Sequence, residues 1–125
     1  MKANELIIGN YVKFNKDTNN RYAGEIGQFE LSDFYAISEG VMDFEDIEGI
    51  PLTEEILLKA GFEKDNGSPE NEYLFEFKNS CIRLVLDYPD YVVIISGDEI
   101  TIISYLHELQ NLFLCLVGRE LEIKP

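Results

Sequence analysis

Positive charge is missing from a long part of this sequence. No Lys or Arg occurs between Arg21 and Lys59, whereas the same 37 residues carry ten carboxylates. The whole chain of 125 residues has a formal net charge of −14. A negative field of this size repels nucleic acids and anionic membrane surfaces, and it attracts cations and basic protein surfaces. The charge therefore restricts the class of partner, and we do not expect direct binding of nucleic acid.

Several residue types that support particular functions are also scarce. Trp is absent, His occurs once, and the two cysteines, Cys81 and Cys115, are too few for a disulfide framework. Their apolar surroundings predict two buried free thiols, with a disulfide between them as the alternative. No apolar run approaches the length of a membrane span, and the first residues lack a signal-peptide pattern. We therefore expect a cytoplasmic protein that does not associate with membranes.

The apolar content predicts a folded core in spite of the charge. Hydrophobic residues make up 46% of the chain and aromatic residues 12%, which favours one globular domain over 1–125. Within the sub-region 1–50, alternating apolar and polar residues predict strands over 6–14 and 22–29, and a hairpin over 34–44. We expect a β-meander here, with a small barrel as the alternative.

The sub-region 51–125 predicts a helix, a sheet and a second helix. Thr53 is a suitable N-cap for a short helix that ends at Gly61. Leucines and Phe113 recur at helical spacing from Leu106 onward, and Gly118 is a natural C-cap. Four strand candidates joined by short turns lie between the helices, over 73–78, 82–86, 91–96 and 100–103. The sequence thus predicts an α+β fold in which the C-terminal helix packs on an antiparallel sheet.

No catalytic motif stands out from the sequence. His107, which is followed by the carboxylate of Glu108, could act as a general base or a metal ligand. However, it lies in the first turn of a predicted helix, and the sequence offers no further metal ligands at the required spacing. We interpret it as a surface or half-buried histidine. We therefore predict no catalytic residues, no metal and no cofactor, with a carboxylate- or metal-dependent hydrolase as the enzymatic alternative.

The densest acidic run is DFEDIE at 43–48. It lacks the glycine and the spaced glutamate of a calcium-binding loop. If Phe44 and Ile47 point inward, the carboxylates lie on a solvated surface that can bind a basic protein surface. The candidate protein-binding residues are Glu39, Asp43, Glu45, Asp46, Glu48, Glu54 and Glu55.

Three blocks of the chain, taken together, resemble a known group of proteins. They are MKANELIIGNYV at 1–12, IPLTEEILLKAGFEK at 50–64, and LHELQNLF at 106–113 running on to Gly118 and Leu121. This pattern resembles a group of small proteins encoded by phages, prophages and mobile elements of Bacteroidetes. The resemblance covers about a third of the chain and carries no established catalytic residues. Small acidic phage proteins include inhibitors of host defence nucleases, among them CRISPR effectors, which hold nucleic acid in basic channels.

Two hypotheses about function follow. The first is a non-catalytic, acidic protein-binding module that inhibits a host nucleic-acid-binding or defence protein through its carboxylates. The second is a structural or accessory protein that self-associates as a homo-oligomer through a sheet edge or its terminal helix. The first predicts binding that is sensitive to salt, whereas the second predicts binding by apolar burial, which salt affects little.

Overall fold

The computed structural model describes residues 5–15, 24–65, 71–77 and 80–123. Within these ranges the chain forms an α+β fold, as the sequence predicted, with antiparallel sheets of three and five strands and three α-helices. Residue contacts group into two compact units: the first is Met1–Pro51 with Tyr105–Leu112, and the second is Leu52–Ser104 with Phe113–Pro125. None of the helices in the described ranges is long and apolar enough to cross a membrane.

The first unit contains a three-stranded antiparallel sheet in the order β2-β1-β3. Its strands are β1 (Tyr11–Phe14), β2 (Ile26–Gln28) and β3 (Ile47–Glu48). Val12 and Phe14 are buried, whereas Lys13 between them is exposed, which is the alternation that predicted β1. The described strands form no closed barrel, and β3 pairs with β1 instead of continuing a meander from β2.

The predicted hairpin over 34–44 is wrong. Helix α1 (Leu31–Ser38) occupies the first part of this segment, and a 3₁₀ turn (Phe44–Asp46) begins at its end. Glu30 and Asp33 form a capping box in which the Glu30 backbone N–H donates to Asp33 Oδ2 at 2.8 Å. The Phe34 ring also meets the buried Phe29 ring edge-on, with centroids 5.0 Å apart. This cap and this packing outweigh the strand propensity of the aromatic and β-branched residues.

The second unit contains helix α2 and a five-stranded sheet. Helix α2 (Glu54–Lys59) begins at the predicted N-cap, where Thr53 Oγ1 accepts a hydrogen bond from the Ile56 N–H at 3.3 Å. Ser96 and Gly97 both have positive φ, as a tight turn between the last two strands requires. The sheet runs in sequence order through β4 (Glu63–Lys64), β5 (Glu72–Phe77), β6 (Ser80–Asp87), β7 (Asp90–Ile95) and β8 (Asp98–Ile103). The four predicted strands are confirmed, and β4 is an additional short edge strand.

Helix α3 (Leu106–Val117) contributes to both units and ends at Gly118, whose φ of 82° fits the predicted C-cap. In the second unit, the buried ring of Phe113 meets the Phe75 ring of β5 edge-on at 4.9 Å. This contact confirms that the C-terminal helix packs on the sheet.

Both cysteines are free thiols, but Cys81 is half-buried and Cys115 is exposed, so the prediction that both are buried is wrong.

Candidate functional site

An open cavity of about 750 Å³ lies in the first unit, along the three-stranded sheet. Lys13 of β1 and Glu48 of β3 both line it, and they stand directly opposite each other in the antiparallel register. Glu5 and Glu45 add two more carboxylates to its wall. The cavity therefore combines three negative groups with one positive group, beside the apolar side chains Ile26, Ile47, Ile50 and Pro51.

Gly49 lies where the cavity wall approaches the start of α3. A Cβ atom on Gly49 would be 2.7 Å from the Tyr105 ring and 3.1 Å from His107 Cε1, so no larger residue fits there without displacing its neighbours. The Tyr105 and His107 rings are stacked, with centroids 5.8 Å apart and planes 14° from parallel. Tyr105 still exposes 41% of its surface and lines the cavity. The glycine thus lets the Tyr105 ring lie at the cavity wall, and the buried His107 imidazole stacks on that ring.

His107 is only 1% exposed, so the interpretation as a surface or half-buried histidine is wrong. Neither ring nitrogen has a hydrogen-bond partner within the part of the chain that the structure describes. Nε2 lies 3.8 Å from Glu5 Oε2, too far for a hydrogen bond. Burial lowers the pKa of His107, and the carboxylates of Glu108 and Glu5 oppose this shift. The imidazole is therefore neutral at pH 7, and its unpartnered burial costs about 1–3 kcal/mol.

A polar network holds the first turns of α3 against the start of β1 and the chain that precedes it. The buried Asn10 accepts a hydrogen bond from the Ile7 N–H at 2.7 Å and donates one to Asn111 Oδ1 at 2.8 Å. Gln110 Oε1 accepts a hydrogen bond from the Tyr11 N–H at 2.8 Å. These bonds set the position of α3 in the first unit, and with it the position of His107.

Five of the seven predicted binding residues belong to the first unit: Glu39, Asp43, Glu45, Asp46 and Glu48, which we call the acidic segment. All are exposed except Asp46, which is half-buried, while Ile47 is buried and Phe44 packs partly against the core. Phe44 and Ile47 therefore point inward, as expected. Asp43 and Asp46 also cap the 3₁₀ turn, since the Asp43 N–H donates to Asp46 Oδ2 at 3.0 Å.

The other two predicted binding residues, Glu54 and Glu55, belong to the second unit. Glu54 Oε1 lies 3.1 Å from Lys64 Nζ, and Glu55 Oε1 lies 3.1 Å from Lys59 Nζ. Burial, followed by the charge of Glu54 and a hydrogen bond to it, raises the pKa of Tyr73. The charges of these two carboxylates are therefore offset by lysines within their own unit.

Apolar residues that the sequence analysis did not single out are exposed next to the acidic segment. Leu31, Phe34 and Tyr35 lie at positions i, i+3 and i+4 of α1 and are exposed, as is Val41 after the helix. Val41 and Asp43 line the same shallow depression of about 290 Å³. Reading this segment with helical spacing instead of strand alternation would have placed these side chains on one face.

Comparisons with other proteins add no assignment to this geometry. No protein-family model matches the chain, and neither the curated proteins nor the solved structures gave a match. Within the described ranges, no three or more His, Cys, Asp or Glu side chains are arranged to hold a metal ion. The candidate site is therefore the acidic segment with the adjoining cavity, defined by its own charge and shape.

Proposed function

We propose that this chain is a non-catalytic protein-binding module that docks its acidic segment onto a basic surface of another protein. The observation that carries the proposal is the pairing of exposed carboxylates with exposed apolar side chains in one stretch of the first unit. For Glu39, Glu45 and Glu48, the described residues include no ion-pair partner. A basic protein surface would supply the missing positive charge, and Leu31, Tyr35 and Val41 would supply the apolar contact that such interfaces bury.

The proposed partner is a host nucleic-acid-binding or defence protein that acts in the cytoplasm, such as a CRISPR effector. Proteins of this class hold nucleic acid in basic channels. A surface that presents carboxylates beside aromatic side chains can occupy such a channel in place of phosphates and bases. Inhibition then follows from occupancy and requires no chemistry by this chain. The resemblance to proteins of phages and mobile elements supports this choice of partner.

The test is affinity capture with the full chain as bait and a lysate of a Bacteroidetes host. A first variant neutralises four residues of the acidic segment: Asp43→Asn, Glu45→Gln, Asp46→Asn and Glu48→Gln. Asn keeps the acceptor oxygens of the 3₁₀ turn, so the fold should be retained. A matched control removes the same charge from exposed residues outside the acidic segment: Glu76→Gln, Glu99→Gln, Glu120→Gln and Glu122→Gln.

We expect the bait to capture a protein that binds nucleic acid. The control variant should still capture this protein, and the four-residue variant of the acidic segment should not. Double-stranded DNA or RNA should displace the purified protein from the bait, and binding should weaken as salt rises because exposed charges are screened. Retention by the four-residue variant, or binding that nucleic acid does not compete, would contradict the proposal.

A second candidate function is self-association, which the edge strand β8 favours. Ile100 and Ile102 of this strand are each more than half exposed, and among the described strands β8 pairs with β7 alone. Such a strand can pair with another copy of the chain. Sedimentation at micromolar concentration should then show an oligomer that high salt preserves and Ile100→Lys with Ile102→Lys dissociates. A wild-type monomer under these conditions would count against it.

A further inference from the structure

We infer that two copies of this chain pair through strand β8 in an antiparallel register centred on Thr101, which joins their five-stranded sheets into one sheet of ten strands. The inference rests on the self-association proposed above as the second candidate function, and it adds the geometry of the interface. Three features support it: the open edge of β8, the protected edge at β4, and the order of apolar and charged residues along β8.

The open edge of the sheet runs along β8. Among the described strands β8 pairs with β7 alone, and Ile100 and Ile102 expose 54% and 52% of their surface. A register shift between the two strands also leaves Ile100 without a partner residue on β7. The edge ends at Ser104, whose carbonyl oxygen accepts a hydrogen bond from the Leu52 N–H at 3.0 Å. Within the described ranges, the six residues Asp98–Ile103 are therefore open to a further strand.

The opposite edge of the sheet has features that prevent such pairing. Strand β4 (Glu63–Lys64) is two residues long, and both of its charged side chains are exposed. Short edge strands with charged side chains discourage the addition of another strand, whereas β8 presents two isoleucines. Pairing at one edge alone, about a two-fold axis, gives a closed dimer instead of a filament.

A second copy fits the open edge because β8 complements itself when the two strands run antiparallel. A two-fold axis perpendicular to the sheet pairs residues that lie on the same face. When this axis passes between the two Thr101 residues, Ile100 of each copy lies opposite Ile102 of the other. Cross-strand pairs of β-branched side chains and of two threonines are both favourable. The apolar side chains that one copy exposes are therefore covered by those of the second copy.

The charge of Glu99 selects this register among the alternatives. In a parallel pairing, the two Glu99 residues would be neighbours on adjacent strands, about 5 Å apart. In an antiparallel pairing centred on Ile100, their Cα atoms would be about 8 Å apart, where salt screens the repulsion incompletely. In the register centred on Thr101 they are about 14 Å apart, well beyond the Debye length of about 8 Å, and each Glu99 lies opposite Ile103. The repulsion between two acidic strands is therefore smallest in this register.

Cysteine cross-linking tests the register. The background variant, Cys81→Ala with Cys115→Ser, removes the native thiols. In this background Thr101→Cys places two thiols opposite each other, where paired Cα atoms are about 4.5–5.5 Å apart and a disulfide needs about 4.4–6.8 Å. Asp98→Cys is the matched control on the same strand, because its two copies are about 20 Å apart. We expect copper phenanthroline to link the Thr101→Cys protein into dimers, and the Asp98→Cys protein about tenfold more slowly or not at all.

Charge at the two-fold axis provides a second test, with the native cysteines in place. Thr101 is exposed, so Thr101→Lys and Thr101→Glu should both fold, as circular dichroism can check. Each variant alone brings like charges together at the axis and should sediment as a monomer. An equimolar mixture of the two should recover dimers, because opposite charges then face each other.

Equal rates of cross-linking at the two cysteine positions would overturn the inference, as would dimers of Thr101→Lys alone. If the wild type sediments as a dimer but fails either test, self-association stands and this register is refuted. A wild-type monomer at all concentrations refutes self-association and the inference with it. None of these outcomes bears on the docking of the acidic segment, which partner capture tests separately.

Discussion

Gly49 and Tyr105 are in such close contact that a Cβ on Gly49 would lie 2.7 Å from both Cγ and Cδ1 of the tyrosine ring. Gly49→Ala must therefore displace the ring or shift the backbone. Overpacking of this kind typically costs about 1–3 kcal/mol. We expect that loss in the free energy of unfolding, measured with urea.

A double-mutant cycle separates this clash from a general intolerance of alanine at Gly49. Tyr105→Ala removes the ring atoms, so Gly49→Ala should cost clearly less in that background. Equal costs in both backgrounds would show that the clash with Tyr105 is not the cause.

His107 makes the stability of the protein depend on pH. Burial lowers its pKa in the folded state, against the opposing carboxylates of Glu108 and Glu5. Above pH 6.5, the ordinary pKa, the imidazole is neutral in both states. As the pH falls below 6.5, the unfolded state takes up a proton and the folded state does not, until its own lower pKa is reached. The free energy of unfolding should fall across this window by up to about 1.4 kcal/mol per pH unit.

The matched variant for this prediction is His107→Leu, which has a similar volume and does not titrate. Urea unfolding of both proteins between pH 5 and 8 should give a difference that grows in favour of the variant as the pH falls below 6.5. At pH 8 the variant should be at least as stable as the wild type, because it has no unpartnered buried nitrogens. A difference that is constant across this range would contradict the account of His107.

Asn10 should tolerate little change because it serves as both donor and acceptor while buried. Asn10→Asp keeps an oxygen for the Ile7 N–H but places a carboxylate against Asn111 Oδ1, where an N–H now donates at 2.8 Å. We expect a loss of about 1–3 kcal/mol in urea unfolding. Asn15→Asp, at a less buried residue whose side chain donates to the Glu45 carbonyl oxygen at 3.2 Å, should cost clearly less. Equal losses would contradict a special role for burial at Asn10.

Local signals predicted most of the second unit. The strands β6 to β8 combine strand-forming residues with short turns, and the turn at Gly97 needs only the left-handed conformation that glycine adopts readily. Helix α2 has its N-cap at Thr53. Helix α1 was missed because Phe34, Tyr35 and Ile37 favour strands in isolation. Contacts of this segment with Phe29 and the core, which a local pattern does not contain, help to stabilise a helix there.

Of the candidate site, the sequence predicted the carboxylates but not the cavity. The acidic segment is visible as a run of carboxylates without Lys or Arg. The cavity is not visible, because Gly49 is more than 50 positions away from Tyr105 and His107 and meets them only in the folded first unit. The bond between Asn10 and Asn111 joins residues separated by 101 positions. No periodicity in the chain specifies such pairs.

The charges of Glu54 and Glu55 are offset by neighbouring lysines, whereas Glu45 and Glu48 have no ion-pair partner among the described residues. Glu54 and Glu55 lie in the first turn of α2, and each is 3.1 Å from a lysine Nζ, of Lys64 and Lys59 respectively. We expect Glu54→Gln with Glu55→Gln to leave partner capture unchanged. Neutralising Glu45 and Glu48 of the acidic segment, with the same change of charge, should weaken it severalfold.

The double substitution Glu54→Gln with Glu55→Gln should also lower the free energy of unfolding by a small amount. Exposed ion pairs contribute about 0.2–1 kcal/mol each, and favourable charge at a helix N-terminus adds about 0.3–1 kcal/mol. Urea unfolding should therefore show a modest loss that diminishes at high salt. If the Glu54 and Glu55 variant abolished capture while its unfolding stayed near that of the wild type, the binding surface would have to include α2. The acidic segment alone would then be too narrow a definition of the site.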